Sequence, residues 1–205
     1  MHIAVFGATG GTGRAFVEQA LDAGHTITAL ARTPSKLNID HPGLTVIQGD
    51  ALVAADVAQT VAGADGVLAS LGSGLNDETK VVSRGTEQII AAMVAEGVRR
   101  LVVIGAMGTG DSADQVGFAF KMIMKTVLKK TMVEKEAQEK IVAASGLDWV
   151  MVRPSGLTDG PRTGTYTFGV DKSLKAGQIS RADVADFALK QFSEDTFVGK
   201  TPAVT

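Results

Sequence analysis

Seven residues near the start of the chain, Gly7-Ala8-Thr9-Gly10-Gly11-Thr12-Gly13, combine small size with a spacing that suits a diphosphate. The glycines at 7, 10 and 13 fall in the pattern GxxGxxG. Gly7 permits a sharp turn, Gly10 lets a phosphate approach the backbone without meeting a Cβ, and Gly13 lets a helix pack closely on a strand. Amides at the start of such a helix, reinforced by its dipole, form an anion site. An ordinary glycine-rich turn would carry the same letters, so the pattern takes its meaning from its surroundings. Further along, Arg32 stands with Ser35 and Lys36, and Asp50 follows Gly49. These groups could hold the remaining charged and polar parts of a dinucleotide.

The elements around the glycines supply the context. His2 to Phe6 is a short apolar run of strand formers ending at Gly7, and from Thr12 or Gly13 to Ala23 the period becomes helical, with Ala15, Phe16, Gln19, Ala20 and Ala23 on one side. Strand, tight turn and helix predict a dinucleotide site. Thr26 to Ala31 reads as the second strand. A site for NAD places a carboxylate at the end of that strand, about twenty residues past the glycines, on the ribose 2′-hydroxyl. Ala29, Leu30 and Ala31 offer none, and Arg32 is the first charged group. A guanidinium there suits the 2′-phosphate of NADP, with Ser35 and Lys36 as further donors. NADP is the expected cofactor and NAD is possible; the plainer reading makes Arg32 and Lys36 solvated loop charges.

Gly43 to Gln48 predicts a third strand, after which Asp50 either accepts from an adenine amino group or caps a helix from Ala54 to Ala62. Asp65 to Ser70 predicts a fourth, running into Leu71-Gly72-Ser73-Gly74, where the glycines leave room for a ribose or simply form a flexible loop. A helix is expected from Asp77, near its cap, to Glu96, with Gly97 ending it. Arg100 to Gly105 predicts a buried fifth strand opening into the loop Ala106 to Asp111. Phe118 to Lys140 reads as one helix, with Lys121, Lys125 and Lys129 as a basic stripe: a solvated face, or a surface for a membrane or partner. Its methionines belong to the core or cap an aromatic acceptor. Leu147 to Arg153 predicts a sixth strand broken by Pro154, followed by a loop from Gly156 to Gly164 and a short strand from Thr165 to Phe168. Ser180, with Asp183 three residues on, caps a helix from Arg181 to Phe192, and Lys200 to Thr205 predicts an edge strand.

Repeated strand–helix units imply an α/β fold: a single Rossmann-like, doubly wound, mainly parallel sheet with helices on both faces. One domain covers residues 1–205, with 106–135 and 154–180 contributing the substrate side. Twenty Lys and Arg against 22 Asp and Glu give a net charge of -2, which argues against a nucleic-acid partner. The chain has no cysteine, which excludes thiol nucleophiles and disulfides, and its three histidines (His2, His25, His41) show no metal-ligand spacing. No membrane-length apolar run or signal peptide is seen, so a soluble, cytoplasmic protein is expected.

The segments AVFGATGGTG, TALARTPSKL, VIQGDALVAADV, VLASLG and SGLDWVMVRPSGLTDGPRTGTY together resemble atypical short-chain dehydrogenases. Within that group the chain looks most like the NADPH-dependent flavin reductase and biliverdin-IXβ reductase branch and its bacterial relatives. The resemblance implies that residues 7–13 surround the pyrophosphate, that Arg32 and Lys36 meet the 2′-phosphate, and that Asp50 with Ala51 meets adenine. It implies Leu71 and Gly72 along the nicotinamide half. The wider family's catalytic pair, Tyr-x-x-x-Lys, aligns with Thr131-Met-Val-Glu-Lys135, so Lys135 is present and Thr131 replaces the tyrosine. The serine and histidine of the flavin reductase branch align with Ala106 and Gly156. The only tyrosine, Tyr166, falls outside the motif.

Two functions follow. The first is reduction of a conjugated acceptor (flavin, quinone or tetrapyrrole), which takes hydride at a ring atom and its proton from solvent, so that no dedicated acid is required. Lys135 would hold the nicotinamide ribose, and Met107, Gly108, Leu157 and Arg162 would line the acceptor site. The second is a non-catalytic NADP sensor acting through a protein partner, suggested by the missing tyrosine, serine and histidine and by the lysine stripe. A monomer or weak homo-oligomer is expected in either case.

Overall fold

The computed structural model describes residues 1–74 and 78–205, apart from the side chains of residues 119, 120 and 125. In chain order the strands and helices are β1 (His2–Phe6), α1 (Gly11–Asp22), β2 (Thr26–Ala31), β3 (Leu44–Gln48), α2 (Ala54–Val61), β4 (Gly66–Ala69), α3 (Val81–Glu96), β5 (Arg100–Ile104), α4 (Phe118–Lys125), α5 (Lys129–Ala143), β6 (Asp148–Pro154), β7 (Gly156–Thr158), β8 (Phe168–Gly169), β9 (Gln178–Ser180), α6 (Arg181–Lys190) and β10 (Ala203–Val204). The main sheet runs β3-β2-β1-β4-β5-β6-β10-β8, and β7 and β9 form a separate parallel pair. Neighbours from β3 to β10 are parallel, and β8 alone runs antiparallel, against β10. The order 3-2-1-4-5-6 reverses direction between β1 and β4, which opens a crevice at their carboxyl ends.

Side-chain alternation divides the interior into two layers. Ile3 and Val5 of β1, with Val102 and Ile104 of β5, pack beneath α1 and α6 with Phe16, Val17, Val184 and Phe187. Ala4 and Phe6, with Leu101 and Val103, face the opposite way against Val57, Val82, Ile89 and Met93 of α2 and α3. Burial on both faces explains why these strands are continuous apolar runs. Each large side chain buried here contributes on the order of 1.5–3 kcal/mol.

Several expected elements are corrected. The predicted helix over 118–140 is two helices, parted at Thr126 (φ -112°, ψ -80°), whose hydroxyl donates to Met122 O at 2.8 Å in place of continuing the backbone ladder. The basic stripe is thereby divided: Lys121 pairs with Asp114 at 2.9 Å, and Lys129 opens a different helix. The chain's tail is not an edge strand, because β10 lies between β6 and β8. Pro154 ends β6 without interrupting it, its carbonyl accepting from Met107 N at 2.9 Å. Part of the expected loop over 156–164 is β7, and the strand after it is confined to Phe168–Gly169, leaving Tyr166 outside. Helix α3 begins at Val81, and the expected cap at residue 77 lies outside the described residues.

Candidate dinucleotide site

Strand β1 delivers Gly7 to the sheet's carboxyl edge with φ +85°, a left-handed conformation that a side chain would strain. A Cβ there would lie 2.3 Å from Ser70 O, so the turn also depends on the close passage of the chain leaving β4. Gly13 is needed for a different contact: its Cβ would stand 2.2 Å from Gly7 O, where α1 crosses the turn. Gly10 N donates to Gly7 O at 3.0 Å and closes the loop. Gly10 is also the N-cap of α1, and no side chain caps the helix, so its first-turn amides are left for another acceptor. This is an anion cradle built from backbone.

A cavity of about 450 Å³ opens over that cradle. Thr9, Gly10, Gly11 and Thr12 line it beyond β1, Ala31, Arg32, Lys36, Asp50 and Ala51 at and beyond the ends of β2 and β3, and Leu71, Gly72 and Gly105 beyond β4 and β5, with Val81, Lys135, Leu157 and Arg181 completing the lining. Two expected cradle residues sit behind this surface: Ala8 is fully buried in the core, and Gly13 serves the packing just described. Asp50 does not cap α2, whose N-cap is Val53 without a side-chain bond. Its carboxylate instead accepts from Leu52 N at 2.9 Å in a turn at the cavity wall.

Lys135 is placed by α5 and is buried. Its ammonium donates to Leu71 O at 2.9 Å, Ile104 O at 2.7 Å and Gln138 Oε1 at 3.2 Å, which uses all three of its protons. Gln138 is itself held, its Nε2 donating to Thr86 Oγ1 at 2.9 Å. Burial opposes the charge and draws the Lys135 pKa down to about 8. Thr131, one turn earlier on α5, is not among the residues lining the cavity.

The four residues expected to line an acceptor site are not brought together. Leu157 lines the main cavity. Met107 instead packs with Val116 and Met124 in a small separate core, because the loop after β5 folds into a 3-10 turn over Gly110–Gln115. Gly108 lines a second cavity of about 400 Å³ between that turn, α4 and α5. Arg162 donates to the Asp186 carboxylate on α6. The same loop is fastened from below by buried Arg153, which donates to Asp111 Oδ1 at 2.6 Å and to Glu139, and the guanidinium holds Asp111 below the usual carboxylate range. Tyr166 is remote as well: its hydroxyl donates to Asp186 Oδ2 at 2.5 Å, and burial, then that carboxylate, pushes its pKa up to about 12.

Sequence reasoning missed Arg181, which also lines the cavity. A signal existed in Gly11, an extra glycine with no part in the GxxGxxG spacing. A Cβ there would lie 2.5 Å from Arg181 Cδ.

The fold and the glycine cradle define a doubly wound dinucleotide-binding protein. Residues 7–195 match the NAD(P)H-binding family, and the chain belongs to it. It is 28% identical over 200 residues to an uncharacterized chloroplastic protein of Arabidopsis thaliana, a match covering 93% of this chain and 71% of that protein. Among solved structures it is similar to ChuY, an anaerobillin reductase from Escherichia coli O157:H7 (TM-score 0.84, 22% identity, covering 100% of this chain and 96% of that one). It is also similar to a short-chain dehydrogenase/reductase from Veillonella parvula solved in complex with NADP (TM-score 0.81, 18% identity, 99% and 93%). At these identities the structural likenesses establish the fold alone. Among the described residues no helix is long and apolar enough to cross a membrane.

Proposed function

We propose that this protein is a cytoplasmic, NADPH-preferring reductase that passes hydride to a conjugated acceptor: a flavin, a quinone or a tetrapyrrole. The observation that carries the reading is the composition of the cavity lining around the ends of β4 and β5. Leu71, Gly72, Val81, Ile104, Gly105, Lys135 and Leu157 form it, and this set contains an ammonium but no phenol, imidazole or carboxyl group. The ammonium's three protons are committed to Leu71 O, Ile104 O and Gln138 Oε1, so this set offers no uncommitted acid to place in line with the oxygen of an alcohol or ketone substrate. A conjugated ring needs none, since it accepts hydride at a ring atom and can be protonated by water.

The chain's own residues fit the cofactor. Its nicotinamide, when bound, supplies the hydride. The glycine cradle would hold the diphosphate, and Arg32 with Lys36 would hold the 2′-phosphate. Lys135, whose three protons go to two carbonyls and an amide, would act on the cofactor through its charge, stabilising negative charge as it develops. Val81 and Leu157 would exclude water from the reacting faces. The likeness to an anaerobillin reductase supports an acceptor of this conjugated kind.

The test is consumption of NADPH by the purified protein with FMN, a soluble quinone and a linear tetrapyrrole as separate acceptors. Turnover above the uncatalysed rate with at least one supports the proposal. Tight NADPH binding with no turnover on any acceptor would refute it.

A further inference from the structure

Four cationic side chains line the main cavity, and three have roles in the reading just given. Arg32 and Lys36 stand at the end of β2, and Lys135 is buried between the ends of β4 and β5. The fourth is Arg181. Its stem lies across the glycine turn, with Cδ 2.5 Å and Nε 3.0 Å from the position that a Gly11 Cβ would take. Gly11 is therefore bare where this side chain passes, beside the uncapped amides of α1.

We infer that Arg181 grips the cofactor's diphosphate, and that Asp159 holds its guanidinium in place until the diphosphate takes over. The inference rests on the dinucleotide reading above and adds to it a binding residue with a built-in competitor. Arg181 Nη1 donates to Asp159 Oδ1 at 2.6 Å. The side chains are 32% and 88% exposed, so the pair is worth little net and exchanges readily. A diphosphate offers the same guanidinium two charges and several oxygens in a fork-compatible arrangement, backed by the helix amides.

The backbone explains how the pair is presented. Strands β7 and β9 are in parallel register, with Thr158 opposite Ser180, so Asp159 and Arg181 are the next residues along each strand. Ser180 is fixed as the N-cap of α6, its hydroxyl accepting from Asp183 N at 2.9 Å. The Asp183 carboxylate in turn accepts from Thr163 N at 2.7 Å and Gly164 N at 2.9 Å. Gln19 Nε2 donates to Ala182 O at 2.9 Å and ties this end of α6 to α1, the helix that carries the cradle. The base of Arg181 is thus fixed relative to the glycines, while its tip, among the described residues, is held by an exposed carboxylate.

Calorimetric titration with two cofactor fragments tests this. ADP-ribose carries the diphosphate and no 2′-phosphate; 2′-AMP carries the 2′-phosphate and no diphosphate. Arg181→Ala is expected to weaken ADP-ribose by about ten- to a hundredfold and to leave 2′-AMP within about twofold, with Arg181→Lys in between. Asp159→Asn, which frees the guanidinium, is expected to tighten ADP-ribose by about two- to fivefold at low salt. The inference falls if Arg181→Ala leaves ADP-ribose binding unchanged, if it weakens both fragments alike, or if Asp159→Asn weakens ADP-ribose. Should the unaltered protein bind 2′-AMP but not ADP-ribose, the dinucleotide reading falls with it. An intact wild-type affinity for ADP-ribose with an indifferent Arg181→Ala variant would sink the role of Arg181 alone.

Discussion

Lys135 Nζ lies 2.9 Å from the carbonyl oxygen of Leu71, so that the centre of α5 is tied to the chain as it leaves β4. A second bond, to Ile104 O at 2.7 Å, ties the same ammonium to the end of β5. One side chain thereby joins the two strand ends that flank one half of the cavity. Its charge is positioned by these two carbonyls together with the Gln138 side chain.

That charge should be visible in a pH profile. Burial lowers the Lys135 pKa to about 8, so the fraction of ammonium falls as pH rises through that value. We predict that the hydride-transfer rate falls with it. Lys135→Gln should be slower by about ten- to a hundredfold and lack this limb, whereas Lys135→Arg keeps a charge that does not titrate. The effect on stability has the opposite sense. Between about 8 and 10.5 the unfolded lysine binds a proton that the folded one has released, so this group's contribution to stability rises with pH across that window. Urea unfolding at several pH values should show that slope in the wild type and its loss in Lys135→Met.

Arg32 stands at the cavity end beyond β2. Arg32→Ala should raise the Kd for NADPH by about ten- to a hundredfold and leave that for NADH nearly unchanged, as measured by fluorescence titration. Equal losses for the two cofactors would assign Arg32 no part in reading the 2′-phosphate.

Two glycines make opposite predictions. Gly7→Ala places a Cβ 2.3 Å from Ser70 O at a left-handed φ, so it should cost about 2–4 kcal/mol of stability and lower the Tm. A Cβ at Gly72 meets nothing within 4 Å among the described residues. Gly72→Ala should therefore leave the Tm unchanged and weaken NADPH severalfold, through obstruction of the cofactor. Unaltered NADPH affinity would mean that the ribose does not pass this residue.

Tyr166 should prove to be structural. Tyr166→Phe removes the hydroxyl from Asp186 and Lys190, with an expected cost of about 1 kcal/mol and no change in kcat. A tyrosine raised to about 12 stabilises the fold fully below its ordinary pKa of 10 and loses that contribution as pH climbs from 10 to 12. The variant should show no such loss in alkaline unfolding curves.

Much of the frame was legible because local rules and tertiary packing agree. Strand β2 runs from Thr26 to Ala31 as its β-branched, apolar pattern predicts, and Ser180 caps α6 through Asp183 as the S-x-x-D spacing predicts. Other features depend on long-range contacts that leave no local mark. Neither glycine nor proline announces the break at Thr126, so 118–140 reads as one helix. The tail looks like an edge strand until β8 returns to cover it. Met107 sits on the catalytic edge by chain order, yet the 3-10 turn after it folds it into a separate core. Arg181 reads as an ordinary first residue of a helix, and its place over Gly11 arises only when α6 packs against α1.

The most direct test of the central claim is the rate of NADPH oxidation with FMN as acceptor, beside the same assay with NADH. We predict turnover well above the uncatalysed rate, with kcat/KM greater for NADPH. A rate indistinguishable from the uncatalysed one in the presence of bound NADPH, on FMN and then on a quinone and a tetrapyrrole, would contradict it.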